Sequence, residues 1–133
     1  MANPNIVNVT SIYGNTAYVI PASTSVSVAW TYNGSTSLTG LTPASGTVNR
    51  VTSIVVSNVT ASAATATVAV ANNATYGSGT PYYIAYQISV PANASVIVTD
   101  KTTSFYVTES QSVGVISGTS SALNYTATFE AIT

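Results

Sequence analysis

The sequence of 133 residues contains no cysteine and no histidine. Without cysteine the chain has no disulfide, no thiolate nucleophile and no thiolate metal ligand, so its redox compartment is undetermined. Without histidine it lacks the side chain that most often serves as a general base or as a zinc ligand. These absences exclude the usual zinc sites and the histidine-activated serine and cysteine nucleophiles.

Charged residues are also scarce, at 4% of the chain, whereas a typical soluble domain has about 25%. No basic stripe is available to neutralise phosphates, which argues against nucleic-acid binding. No cluster of lysine and arginine favours an anionic membrane surface either. The five charged residues are Arg50, Asp100, Lys101, Glu109 and Glu130.

The three carboxylates do not form a convincing catalytic set. Asp100 and Glu109 would approach each other only if residues 95–101 and 104–108 paired as a hairpin, and their positions at turns explain them more simply. Phosphate-binding and dinucleotide-binding fingerprints are also missing. We therefore predict no catalytic residue, no metal ligand and no cofactor, and we expect that the protein is not an enzyme.

No apolar run approaches the roughly 18 residues that a membrane helix requires. The opening residues "MANPNIVNVT" lack the charged and apolar regions of a secretory signal. The sequence therefore predicts a protein made in the cytoplasm without a signal peptide, and no membrane partner.

What the sequence does contain is serine and threonine, 41 residues together, and a strong two-residue hydrophobic period. Alternation over five to nine residues is typical of half-buried antiparallel strands, and valine, isoleucine, threonine and tyrosine favour strands. The pattern predicts a single all-β domain, an antiparallel β-sandwich or jelly roll of eight to ten short strands. Residues 1–46 would form an N-terminal hairpin or arm followed by a loop from about 34 to 47, and residues 47–133 the main strand set. The predicted strands are 6–12, 16–20, 25–32, 48–59, 64–71, 82–90, 95–101, 104–108, 112–117 and 122–132.

The strand at 82–90, "YYIAYQISV", illustrates how strand faces are assigned. Strict alternation predicts that one set of side chains faces the core: Tyr82, Ile84, Tyr86, Ile88 and Val90. The opposite set would face outward: Tyr83, Ala85, Gln87 and Ser89. Tyr125 would also lie in the core, with its hydroxyl at the rim.

Nine tyrosines and one tryptophan supply the remaining candidate surface. Aromatic rings are enriched at the centres of protein interfaces, and they also stack on sugars. Tyr76 and Tyr83 are the outward candidates for a glycan site, although protein contact is the favoured reading because charged groups to grip sugar hydroxyls are lacking. The candidate interface residues are Tyr76, Tyr82, Tyr83, Gln87, Ile97 and Trp30.

Several motifs resemble a family of small virion structural proteins of tailed bacteriophages, especially marine phages and cyanophages. The turn "SVPANAS", from Ser89 to Ser95, matches a turn that ends a strand in that family. The next family segment is matched by Tyr106, Val107, Glu109 and Ser112, but Ser110 stands where glycine is expected. The resemblance covers most of residues 48–132 and, more loosely, the start of the chain.

The resemblance implies a non-enzymatic virion protein, most specifically a capsid decoration (cement) protein that binds the outer capsid surface. Its partners would be the major capsid protein or other virion proteins, and further copies of itself in a trimer or other small oligomer. The alternatives are a neck, tail or fibre component of the virion and a carbohydrate-binding module for host attachment. The resemblance implies no catalytic residue.

Overall fold

The computed structural model describes residues 4–133 and confirms the all-β prediction. These residues form ten strands in two antiparallel sheets, together with two short 3-10 helices at Tyr76–Ser78 and Lys101–Thr103. The strands are β1 (Ile12–Val19), β2 (Ala29–Tyr32), β3 (Thr36–Thr39), β4 (Val48–Asn58), β5 (Ala64–Ala71), β6 (Pro81–Val90), β7 (Ser95–Thr99), β8 (Phe105–Val107), β9 (Ser112–Ser117) and β10 (Leu123–Ile132).

The larger sheet has the strand order β3-β2-β1-β10-β4-β7, and β8 also pairs with β4. Strand β7 pairs with residues 54–57 of β4 and β8 with residues 49–51, both on the side of β4 that β10 leaves free. Together they form one edge strand that residues 100–104 interrupt. The hairpin considered for residues 95–101 and 104–108 therefore does not form, because both segments pair with β4 instead of with each other.

The N-terminal strands belong to the same sheet. Strand β1 pairs with β10 through eight residue pairs, and β2 and β3 continue the sheet beyond β1. The segment at 34–47, predicted as a loop, thus contains β3. Asn33 and Gly34 have positive φ angles of 50° and 83°, a conformation that asparagine and glycine tolerate in tight turns. The Asn-Gly pair predicts this turn, but the hydroxyl-rich "TSLT" that follows lacks the alternation of apolar and polar residues that identifies a strand.

The smaller sheet has the order β6-β5-β9 and packs over the larger one. The core alternation predicted for β10 is confirmed at Leu123, Tyr125, Ala127 and Phe129, which are all buried. Ile54 and Val56 of β4 face the same core. Sheet-on-sheet burial of this kind is the arrangement of a β-sandwich.

The two sides of the sandwich differ. On one side, Ser27 pairs with Val115 of β9, and the Val113 N–H donates to the Gly40 carbonyl oxygen at 2.6 Å. These backbone bonds join β9 to the segments that flank β2 and β3. On the other side, β6 lies beside β7 without pairing to it. The sandwich is therefore closed at β9 and open between β6 and the β7–β8 edge.

Candidate functional site: an aromatic groove

The open side of the sandwich exposes a group of large apolar side chains, which we call the aromatic edge. Their exposed fractions range from 38% for Ile84 to 66% for Ile97. In aqueous solution such exposed apolar groups favour contact with another molecule. The aromatic edge consists of Tyr82, Tyr83, Ile84 and Tyr86 on β6, Ile97 on β7 and Tyr106 on β8.

Two β6 side chains of this edge, Ile84 and Tyr86, are exposed because β6 does not alternate strictly. Strand β6 has ten residues, and its partner β5 has eight. The pairing register shifts twice along β5, between Ala66 and Val68 and between Val68 and Ala69, and each shift leaves one extra residue in β6. Each extra residue in a bulge shifts the alternation of the two faces. The core prediction is therefore wrong for Ile84 and Tyr86, which lie in the shifted stretch and are exposed. Beyond the second bulge Tyr82 returns to the predicted face, opposite Val70, but it is exposed because it lies at the open side of the sandwich.

The same bulges bring one residue inward that alternation had placed outside. Ala85 is buried, whereas Ile88 and Val90 stay on the core side as predicted. At the first bulge Gln87 has a φ angle of 50°, and its backbone N–H donates to the Thr67 hydroxyl oxygen at 3.0 Å. The Thr67 hydroxyl thus accepts a hydrogen bond from a backbone N–H that has no partner in the interrupted strand pairing.

Between β6 and the β7–β8 edge lies a groove of about 620 Å³. This volume falls in the range of roughly 300–1,000 Å³ that is usual for small-molecule sites. Aromatic rings contribute from both strands, with Tyr82 and Tyr83 from β6 and Phe105 and Tyr106 from β8. The remaining lining residues are Val70, Ala71, Asn72, Ile84, Val98, Thr99, Thr103 and Gln111.

Two amide side chains in the groove are held in place by their oxygen atoms. The Asn72 Oδ1 accepts the Thr80 backbone N–H at 2.7 Å, and the Gln111 Oε1 accepts the Thr108 backbone N–H at 3.0 Å. An amide bound through its oxygen still has two N–H donors on its nitrogen. Asn72 and Gln111 therefore present fixed donor groups at the groove.

No charged side chain of the described residues 4–133 lines this groove. Asp100 directly follows the lining residue Thr99 and begins the second 3-10 helix. Its side chain accepts the Thr102 backbone N–H at 2.9 Å and the Thr102 hydroxyl at 2.6 Å. These hydrogen bonds hold the pKa of Asp100 below its usual value. The carboxylate acts here as a helix cap, which accounts for its position without any catalytic role.

Tyr76 is half-buried at the other sheet edge, beside Gly114 of β9. Burial, and to a smaller extent the neighbouring Tyr83, raise the pKa of the Tyr76 hydroxyl. Tyr83 also contacts Tyr86 edge to face, with ring centroids 4.7 Å apart. Of the two predicted outward tyrosines, Tyr76 and Tyr83, only Tyr83 lines the groove.

The other predicted interface residues are distributed differently. Gln87 and Ile97 are exposed, in agreement with their prediction as surface groups. Trp30 is fully buried and its Nε1–H donates to the Val113 carbonyl oxygen at 3.2 Å. Its inclusion in a contact surface is therefore corrected, since the indole is already enclosed by the chain's own two sheets.

Sequence reasoning missed several residues of this site. Ile84 and Tyr86 were assigned to the core, and Phe105, Tyr106, Asn72 and Gln111 were not predicted as contact residues. The tyrosine content of "FYV" at β8 was a usable signal for Tyr106. The two amides carried none, because their anchoring depends on backbone groups that only the folded turns bring near.

Three further findings concern metal binding, membrane-spanning helices and similarity to known proteins. Among residues 4–133, no group of three or more histidine, cysteine, aspartate and glutamate side chains is placed to hold a metal ion. Within the same residues, every helix is too short to cross a membrane. Comparisons with protein-family models, with curated proteins and with solved structures found no match to this chain.

Proposed function

We propose that this protein is a non-enzymatic structural component of a tailed-bacteriophage virion, most specifically a decoration protein that binds and stabilises the outer capsid surface. The observation that carries the proposal is the combination of many exposed large apolar side chains with only five charged residues. The sequence resemblance of residues 48–132 to small virion proteins gives this contact surface its biological setting.

The outer face of the larger sheet suits burial against other proteins. Thr16 lies opposite Thr128 and Tyr18 opposite Thr126, and all four side chains are exposed. A buried charge costs several kcal/mol unless it is paired, whereas hydroxyl groups can be buried at lower cost when they find a hydrogen-bond partner. A face of threonine and tyrosine can therefore enter an interface with little penalty.

The charged groups of this face are already arranged for burial. Arg50 Nη1 and Glu130 Oε2 lie 3.8 Å apart on adjacent strands β4 and β10. Both side chains are about one-third exposed, so a partner that covered them would bury a pair and not a lone charge. The same pairing gives Glu130 a structural role, in keeping with a protein without catalysis.

Exposed apolar side chains also occur far from the aromatic edge, which supports an assembly with several neighbours. On and beside β1, Ile12, Tyr13 and Ile20 are each more than half exposed. A decoration protein must contact both the capsid and further copies of itself, so it requires more than one such surface. We propose a trimer or other small oligomer.

Localisation and copy number in purified virions test the proposal. Cryo-electron microscopy of the particle should show density for this fold on the capsid shell, and quantitative mass spectrometry should give on the order of hundreds of copies per virion. A few copies per virion would instead indicate the alternative, a neck, tail or fibre component. Absence from purified virions would contradict both roles.

A further inference from the structure

We propose that the groove between β6 and the β7–β8 edge binds an uncharged saccharide. This inference concerns the isolated chain and does not depend on the virion role. It differs from the glycan site that the sequence offered as the less favoured alternative, because Tyr76 does not line the groove, and Tyr82, Tyr106, Asn72 and Gln111 are added to Tyr83.

The aromatic rings provide the first part of the argument. Tyr82 of β6 and Phe105 of β8 lie opposite Val70 and Val51, on the inner faces of their sheets, and the neighbouring residues Tyr83 and Tyr106 also line the groove. The face of an aromatic ring carries partial negative charge, and it therefore attracts the C–H groups on the flat face of a pyranose. The edge-to-face contact with Tyr86 supports the Tyr83 ring from outside the groove.

The anchored amides provide the second part. Asn72 and Gln111 are each held through the carbonyl oxygen, and their –NH₂ groups remain as donors. A saccharide offers hydroxyl and ring oxygens as acceptors within a few ångströms of its C–H face. Because backbone N–H groups fix both amides before binding, little side-chain entropy is lost when the ligand arrives.

The absence of charge from the lining defines the ligand class. A phosphorylated, sulfated or sialylated sugar would enter a groove without a compensating cation, and its desolvation would be unfavourable. A neutral saccharide meets no such penalty. The volume of about 620 Å³ is large enough for a short oligosaccharide.

A protein segment added as a further strand fits this side less well. Regular strand addition needs an uninterrupted row of free backbone groups. The two bulges interrupt the regular alternation of β6, so its free edge does not offer such a row. The groove therefore favours a compact ligand that contacts side chains over an extended peptide that requires the backbone edge.

The test uses the purified chain and an array that carries neutral, sialylated and sulfated oligosaccharides together with unrelated peptides. The strongest neutral binder is then titrated into the ¹⁵N-labelled protein. We expect chemical-shift changes at the backbone amides of Tyr82, Tyr83 and Tyr106 and at the side-chain –NH₂ signals of Asn72 and Gln111. Shifts confined to other surfaces would overturn the proposal, as would binding of peptides or anionic sugars alone.

Variants then connect the binding to the groove. Tyr82→Ala and Tyr106→Ala should each weaken the binding of that neutral sugar roughly tenfold or more, because each removes a well-placed aromatic contact. Gln111→Glu should weaken it while keeping the size of the side chain, because it replaces donors with acceptors. Tyr18→Ala is the matched control, since Tyr18 is similarly exposed but lies on β1, away from the groove.

Equal effects of Tyr18→Ala and Tyr106→Ala would refute the assignment, as would a failure of every neutral sugar to bind at millimolar concentration. Because Tyr82 and Tyr106 are 61% and 45% exposed, their truncation should leave the fold intact, which one-dimensional NMR verifies. If either variant is unfolded, Gln111→Glu alone decides the question. A virion copy-number result does not enter this test, so the two proposals fail separately.

Discussion

The Trp30 Nε1–H donates to the carbonyl oxygen of Val113 at 3.2 Å and thereby joins β2 of one sheet to β9 of the other. Close to this bond, the Val113 N–H donates to the Gly40 carbonyl oxygen and Ser27 pairs with Val115. The side of the sandwich at β9 is therefore fixed by directional hydrogen bonds. The opposite side has no such ties between β6 and β7 among the described strands, which is why a groove can form there.

The first prediction concerns the closed side. Trp30→Phe keeps an aromatic ring but removes the N–H donor and leaves part of the indole volume empty. The buried Val113 carbonyl then loses its indole partner, so we expect a loss of about 2–4 kcal/mol in the free energy of unfolding. Urea unfolding followed by circular dichroism measures it. Tyr13→Phe, at an exposed position, is the control and should change stability by less than about 0.5 kcal/mol.

The second prediction concerns the bulge that exposes the aromatic edge. Thr67→Val preserves the shape of a buried side chain but removes the acceptor for the Gln87 N–H. Leaving that N–H unsatisfied should cost about 1–2 kcal/mol and should speed hydrogen exchange at the Gln87 amide. Thr65→Val, at an exposed position of the same strand, should do neither. Unchanged exchange at Gln87 in the Thr67 variant would contradict this account of the bulge.

Strand positions could be read from the sequence where one face is uniformly buried. In β10, Tyr125 and Phe129 point inward and Thr126 and Thr128 outward, so period two reports the structure directly. In β6 the same reasoning failed at Ile84, Ala85 and Tyr86, because two bulges shift the pairing with β5, and such a shift is a property of the paired strands.

For the candidate site, too, some features could be predicted from the sequence and others could not. Tyr82, Tyr83 and Ile97 were predicted as contact residues, and they are exposed. The groove itself could not be predicted, because it requires the interrupted β7–β8 edge to lie opposite β6. The prediction for Trp30 was wrong because aromatic character alone does not distinguish an interface residue from a core residue. The structure shows that Trp30 is fully buried within the chain.

The third prediction concerns Gly114 of β9, which is buried against Tyr76. A Cβ atom at this position would lie 2.6 Å from the Tyr76 Cε2 and 2.8 Å from the Val26 Cγ2, closer than real contacts allow. Gly114→Ala should therefore displace the Tyr76 ring and destabilise the protein by about 1–3 kcal/mol.

A double-mutant cycle tests whether Tyr76 is the cause. Once the ring has been removed by Tyr76→Ala, Gly114→Ala should cost at least about 1 kcal/mol less than it does alone. Val26 can yield to the new methyl group because its side chain is 41% exposed. Strictly additive losses of stability would show that contact with the Tyr76 ring is not the reason why Gly114→Ala destabilises the protein.

The last prediction concerns Tyr125, whose buried hydroxyl donates to the Ile116 carbonyl oxygen at 2.6 Å. Burial raises the pKa of Tyr125 above the usual value near 10. An acid whose pKa is higher in the folded state stabilises that state below the unfolded pKa, and this stabilisation is lost as the pH rises above about 10. Ultraviolet titration should show that Tyr125 stays protonated above pH 10 while the chain remains folded.

Tyr125→Phe separates this effect from the other alkaline titrations. At pH 7 the variant should be less stable than the wild type by about 0.5–1.5 kcal/mol, because it lacks the hydrogen bond. Between pH 9 and 11 the wild type should lose more stability than the variant, so the two free energies of unfolding should converge. Parallel curves would mean that the Tyr125 hydroxyl ionises as readily in the folded chain as in the unfolded one, and that its burial does not control its protonation.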